Sequence, residues 1–249
     1  MNTEHLLDIK NLKVQFQNHQ ILSGISFRVV RGEVIAVIGR SGSGKTVLLR
    51  TIANLIKANE GEIDFHFRNL NATSPIGFVF QKSPLFPWLT VAENLTLCAN
   101  GEIEKSYAAE LLKNVGLEKF KNHLPGQISG GMAQKVNLLR ALANSCELIL
   151  MDEPFGSLDS FQRSELQQFT HDTCRSDGRS LILVTHDIDE AIQLADRILI
   201  LSSRSGKIVH EIPVKLKKPA KLIEMRSVES YNLLYQQVLA ALSSAEGAA

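Results

Sequence analysis

The sequence predicts an α/β fold built on a mostly parallel, covered sheet, with a strand-rich region at its start and a helical insertion in its middle. Three observations predict it. Short apolar runs at 34–38, 147–151, 181–185 and 197–201 read as strands buried on both faces, and helical patterns separate them. The first of these runs feeds a glycine-rich turn that opens directly into a helix. Strand signals dominate to residue 80, give way at Pro84, Pro87 and Trp88 to helical segments, and return at 147.

The chain has 249 residues, enough for one large α/β domain or two small ones. Its 27 basic and 26 acidic residues leave a net charge of +1, a balance that argues against nucleic acid as a partner. Cys98, Cys146 and Cys174 lie far apart without a C-x-x-C pair, so neither a disulfide frame nor a zinc site is expected, and a reducing cytoplasm fits. The N-terminus lacks a basic stretch followed by an apolar core, and no apolar run approaches the roughly 18 residues that span a bilayer. Work at a membrane would require another polypeptide to hold this one there.

In order, strands are expected at 6–9, 25–30 and 34–38, punctuated by turn signals at Asn18-His19 and Arg31-Gly32. A helix over 45–56 leads past Gly61 to a strand at 62–67 and a short buried strand at 76–80. The insertion carries helical patterns at 91–98, 106–115 and 129–144. Strands at 147–151, 181–185 and 197–201 then alternate with helices at 160–175 and 188–195. An edge strand at 207–212 and a lysine-bearing linker precede a last amphipathic helix, with Tyr231, Leu234, Tyr235, Val238 and Leu242 on one packing stripe.

Chemistry concentrates after the buried strands. Gly39-Arg40-Ser41-Gly42-Ser43-Gly44-Lys45-Thr46 satisfies every fixed position of G-x-x-x-x-G-K-[ST], and this strand–turn–helix context makes it a nucleoside triphosphate site. Gly39, Gly42 and Gly44 let successive N–H groups turn inward around phosphate oxygens, and the following helix adds its positive end. Lys45 supplies charge to the β and γ phosphates, and the Thr46 hydroxyl is placed to ligate a bridging Mg2+. Four apolar residues end in Asp152-Glu153, a metal ligand and a group to polarise water. A third such strand ends at Thr185-His186-Asp187, where His186 is placed to hydrogen-bond the γ phosphate and the water. Ser129-Gly130-Gly131 opens another helix as a capped, anion-binding start. One chain needs only one phosphate loop, so Ser129 and Gly131 are read as reaching nucleotide held by a second copy of the protein.

This ordered set resembles the nucleotide-binding subunits of ATP-binding cassette transporters over nearly the whole chain. The resemblance identifies 39–46 as Walker A, Gln81 as the Q-loop glutamine, Ile128-Ser-Gly-Gly-Met132 as the signature, 148–152 as Walker B with catalytic Glu153, Gly156-Ser-Leu-Asp159 as the D-loop and His186 as the switch histidine. It implies a P-loop NTPase with a RecA-like core, an N-terminal antiparallel β-subdomain and an inserted α-helical subdomain. In this single ATPase domain, 1–81 and 145–212 form the core, 82–144 the helical subdomain and 213–249 a tail with an amphipathic helix. Catalytic roles fall to Lys45, Gln81, Glu153 and His186, metal binding to Thr46, Gln81 and Asp152. Nucleotide contacts fall to the loop from Gly39 through Val47, to Ser129, Gly130, Gly131 and Asp159, and to Phe16, which stands where the family stacks an aromatic on adenine. The cofactors implied are ATP and Mg2+.

Phe86-Pro-Trp-Leu-Thr-Val91 and Thr185-His-Asp-Ile-Asp-Glu-Ala191 are similar to the importers for nitrate, sulfonate and taurine. Met132 replaces the usual signature glutamine, and Lys135 stands where arginine is typical; neither change removes a catalytic group. The resemblance implies a head-to-tail dimer with two ATP molecules between subunits, an integral membrane permease, indirectly a solute-binding protein, and a peripheral place on the cytoplasmic face of the membrane. The alternative is a soluble cassette ATPase in DNA repair, translation or iron–sulfur assembly, but this chain carries neither a coiled-coil or zinc insertion nor a tandem cassette.

Overall fold

The computed structural model describes residues 4–68, 75–82, 85–97, 105–144 and 146–247. Strand β1 (His5–Phe16) pairs antiparallel with β2 (His19–Val30) and β4 (Glu60–Phe65) in a sheet ordered β2-β1-β4. The main sheet runs β5 (Ile76–Val79), β6 (Leu148–Asp152), β7 (Ser180–Thr185), β3 (Val34–Ile38), β8 (Arg197–Leu201) and β9 (Ile208–Pro213). Its neighbours are all parallel except β8 and β9.

The uninterrupted apolar runs of β3, β6 and β7 follow from burial of both faces. Period-two alternation sends Ala36, Ile38, Met151 and Leu183 into one core, and Ile35, Val37, Leu150 and Val184 into the other. The second core is closed by the antiparallel sheet and by Leu48, Leu49 and Ile52 of helix α1 (Lys45–Ile52). Each such side chain contributes about 1.5–3 kcal/mol on leaving water, so this face holds the phosphate-loop helix firmly. The first core takes in residues of α2 (Val91–Leu97), α3 (Lys105–Asn114), α4 (Gly130–Ala143), α5 (Ser160–Ser176), α6 (Ile188–Leu194) and α7 (Tyr231–Gly247). Tyr231, Leu234 and Val238 of the last helix are buried, and Tyr235 and Leu242 pack against the same core.

Several boundaries differ from the sequence reading. β1 continues to Phe16 because a bulge at Asn11 (φ 50°) carries the strand across exposed Lys10 and Asn11, where apolar alternation breaks. β2 begins at His19 rather than 25, since its first half pairs with the far end of β1. β4 ends at Phe65, and Phe67 beyond it stacks on Phe65 with ring centroids 5.0 Å apart. Helix α1 ends at Ile52 rather than 56: Asn54 takes a left-handed conformation (φ 57°), and the Leu55 and Ile56 N–H groups turn back to the Arg50 carbonyl. Pro84 and Cys98 lie outside the described residues. No described helix is long and apolar enough to cross a membrane.

Candidate functional site

Strand order builds the site. β6, β7 and β3 are adjacent and parallel, with Asp152 opposite Val184 and Ile38 opposite Thr185, so the turns leaving all three emerge side by side. A cleft of about 490 Å³ results, lined by Ser41 to Val47, Gln81, Glu153, His186 and Ile21. Ile21 comes from β2 and carries no sequence signal; only the packing of the antiparallel sheet against Gly44 brings it there.

Two of the three loop glycines serve through their backbone angles, Gly42 at φ +81° and Gly44 at φ +95°. Gly39 differs from the expectation: its requirement is space, because a Cβ there would sit 2.4 Å from the Leu201 carbonyl oxygen. Lys45 is buried and its Nζ donates to the carbonyls of Gly39 (2.6 Å) and Arg40 (2.9 Å). Burial pushes its pKa down, opposed by Glu153 and Asp152. Ser43, within this loop, is buried with a hydroxyl that has no hydrogen-bond partner among the described residues.

The donor set fits Mg2+. The Thr46 hydroxyl donates to Asp152 Oδ1 at 2.9 Å, the separation of about 2.9 Å between adjacent oxygens of an octahedron with bonds near 2.0–2.1 Å. Burial pushes the Asp152 carboxyl up, with the Thr46 hydroxyl, Arg50 and Lys45 acting against it, so a cation between these oxygens would relieve an underneutralised carboxylate.

Glu153 follows directly in a left-handed conformation, φ 46°, which places its carboxylate at the mouth of the cleft. Gln81 Nε2 donates to Glu153 Oε2 at 3.1 Å, and His186 Nδ1 lies 3.2 Å from Glu153 Oε1. Gln81 and His186, more than a hundred positions apart, thus meet at the Glu153 carboxylate.

Other predicted residues lie apart. Ser129 caps α4, its hydroxyl accepting from the Met132 N–H at 3.2 Å, and both it and Gly130 are exposed with open space above Gly130. Ser129 borders a different cavity, between α4 and α5. Asp159 caps α5 by accepting from the Gln162 N–H at 2.9 Å. Phe16 ends β1 with 47% of its surface exposed, so it is no core residue. In the segment after Gln81, Leu85 turns inward against the core, whereas Trp88 is 71% exposed beside Phe86. Cys146 and Cys174 are free and buried, and burial pushes the Cys174 thiol up to about 12, which removes thiolate reactivity.

A family model described as ABC transporter matches residues 22–156. The aliphatic sulfonates import ATP-binding protein SsuB 1 of Pseudomonas syringae pv. syringae is 39% identical over 216 residues, covering 87% of this chain and 89% of that protein. The protein of the same name, SsuB, from Bacillus anthracis is 40% identical over 223 residues, covering 88% and 87%. Among solved structures, a dimeric ATP-binding cassette in a post-hydrolysis state bound to ADP and Pi superposes with a TM-score of 0.74 at 32% identity, over 85% of this chain and 100% of that one. The ATP-binding subunit of an ABC transporter, 24% identical with a TM-score of 0.73, shares the fold.

Proposed function

This chain belongs to the ABC transporter family, and from that premise we propose that it is the ATPase subunit of an importer for aliphatic sulfonates or a chemically similar small anion. The meeting of Gln81, Glu153 and His186 at the mouth of the phosphate loop is the observation that carries the mechanism. Lys45 and the loop N–H groups bind the β and γ phosphates, exchanging the Gly39 and Arg40 carbonyls for phosphate oxygens. Thr46, Asp152 and Gln81 would hold Mg2+, which would neutralise charge on the phosphates. Glu153 accepts a proton from the attacking water, His186 orients that water and the γ phosphate, and Phe16 stacks on the adenine.

Ser129, Gly130, Gly131 and Asp159 close on nucleotide held by a second copy, because their helix starts are open and lie away from the chain's own loop. The segment from Gln81 to Trp88 links the site to the helical region 82–144, and Trp88 supplies an apolar contact for the permease at the cytoplasmic face. A solute-binding protein delivers the cargo to that permease. The test is the assembled transporter in proteoliposomes: ATP hydrolysis should rise when an alkanesulfonate-loaded binding protein is added. No rise with any alkanesulfonate would overturn the cargo, and a Glu153→Gln complex that still hydrolyses ATP would overturn the mechanism.

A further inference from the structure

The tail beyond β9 returns to the catalytic centre at both ends of α7. At its start, buried Tyr231 donates its phenolic O–H to Asp189 in the first turn of α6, and the Arg226 guanidinium pairs with the same carboxylate. Towards its end, Leu242 and Ser243 border a 400 Å³ cavity together with Gly39, Arg40 and His186, and the Ser202 hydroxyl donates to the Ala245 carbonyl at 2.8 Å. A helix serving only to cover the sheet has no need to grip the turn that follows the switch histidine.

That grip is transmitted over two residues. The Asp189 N–H donates to Asp187 Oδ1 at 2.8 Å, and the Asp187 N–H donates to the Thr185 hydroxyl at 3.0 Å, so the backbone on the C-terminal side of His186 is tied down. The Thr185 hydroxyl in turn donates to buried Glu190 at 2.6 Å. Arg163 approaches from α5, with Nη1 3.4 Å from Asp187 Oδ2 and Nη2 3.3 Å from the Leu158 carbonyl, the residue before Asp159. His186 itself is exposed and has Glu153 as its polar contact, so its placement depends on the anchoring of its neighbours.

We propose that Tyr231 is a positioning residue for ATP hydrolysis: its clasp on Asp189, reinforced by Arg226, fixes the first turn of α6 and thereby the distance of His186 from Glu153. The inference rests on the reading of His186 as a participant in hydrolysis. Loss of the clasp lets the turn after β7 drift, which lowers the rate of the chemical step while the phosphate loop binds nucleotide as before. The tail thus tunes turnover from outside the segment matched by the family model.

The test uses the full chain and four variants, Tyr231→Phe, Asp189→Asn, His186→Ala and the Tyr231→Phe/His186→Ala double variant, with steady-state hydrolysis and the His186 ring resonance followed by NMR. Tyr231→Phe and Asp189→Asn should each lower kcat about three- to tenfold with KM for MgATP within twofold, and should move the His186 resonance. The double variant should turn over no more slowly than His186→Ala alone. Wild-type kcat in Tyr231→Phe, an unmoved resonance, or losses that multiply in the double variant would each overturn the proposal. If His186→Ala itself hydrolyses ATP at the wild-type rate, the switch reading falls separately, and an unmoved His186 resonance in Tyr231→Phe then overturns the clasp as well.

Discussion

Glu153 and Lys45 line one cleft, and the proposed mechanism assigns chemistry to the first and binding to the second. Glu153→Gln keeps the shape of the side chain and the Gln81 contact but cannot accept a proton, so hydrolysis should fall by roughly 100- to 10,000-fold while ATP binding survives. Lys45→Ala removes a buried cation from the phosphate loop and should instead weaken nucleotide binding itself, measured by titration calorimetry; equal loss of binding in both variants would contradict the division. Away from the site, Lys218 donates to the Leu194 carbonyl at the end of α6, and burial pushes its pKa down to about 8, opposed by Asp196. The unfolded chain holds that proton up to about pH 10.5, so between the two values it binds more protons than the folded state and stability rises with pH. The rise is at most about 3 kcal/mol. Chemical denaturation at pH 8 and pH 10 should show the wild type gaining stability relative to Lys218→Met, and parallel curves would disprove it.

At the scale of elements, the start of α4 and the segment after β5 each present an exposed side chain, Ser129 and Trp88. Ser129→Arg places a cation and a long side chain over an exposed helix start, so ATP-driven dimerisation in the Glu153→Gln background should vanish in light scattering while the monomer stays folded. A Ser129→Arg protein that still dimerises would assign that helix start another role. Trp88 lies 5.6 Å from Phe86 by ring centroids, and Arg140 sits over the Phe86 ring at 5.4 Å, which fixes an aromatic pair against α4 with the indole outward. Trp88→Glu should therefore abolish association with the permease and uptake, with basal hydrolysis of the isolated chain changed less than twofold. Normal assembly by Trp88→Glu would remove this segment as the coupling surface.

For the whole molecule, nucleotide binds a cleft that exists only when three strands and the antiparallel sheet are assembled, so binding must stabilise the entire fold. With ATP and Mg2+ at a hundredfold over Kd, the Glu153→Gln protein should gain about 2.7 kcal/mol, a rise in Tm of roughly 5–10 °C. An unchanged Tm at saturating nucleotide would show that the cleft is not coupled to global unfolding. The legibility of the chain follows the same division. Each of the nine strands and seven α-helices found among the described residues corresponds to a segment expected from periodicity, because parallel strands covered on both faces and helices with one apolar stripe leave strong local patterns. Boundaries moved where the determinant was not local: the bulge at Asn11, the left-handed Asn54 and the stacking of Phe67 on Phe65.

Sequence by itself determined the phosphate loop, the carboxylate pair after β6, the histidine after β7 and the capped start of α4, since each consists of residues within one turn whose chemistry is written in their types and spacing. Tertiary structure alone decided what those stations do to one another. Parallel registry of β3, β6 and β7 set the Thr46 hydroxyl on Asp152 and His186 on Glu153. Close approach of Leu201 made Gly39 obligatory for space rather than for its backbone angle, and packing of the two sheets put Ile21 in the cleft against Gly44. The clasp of Tyr231 and Arg226 on Asp189 joins positions about forty residues apart, across β8 and β9. Such contacts depend on where whole elements come to rest, and no window of the chain encodes that position.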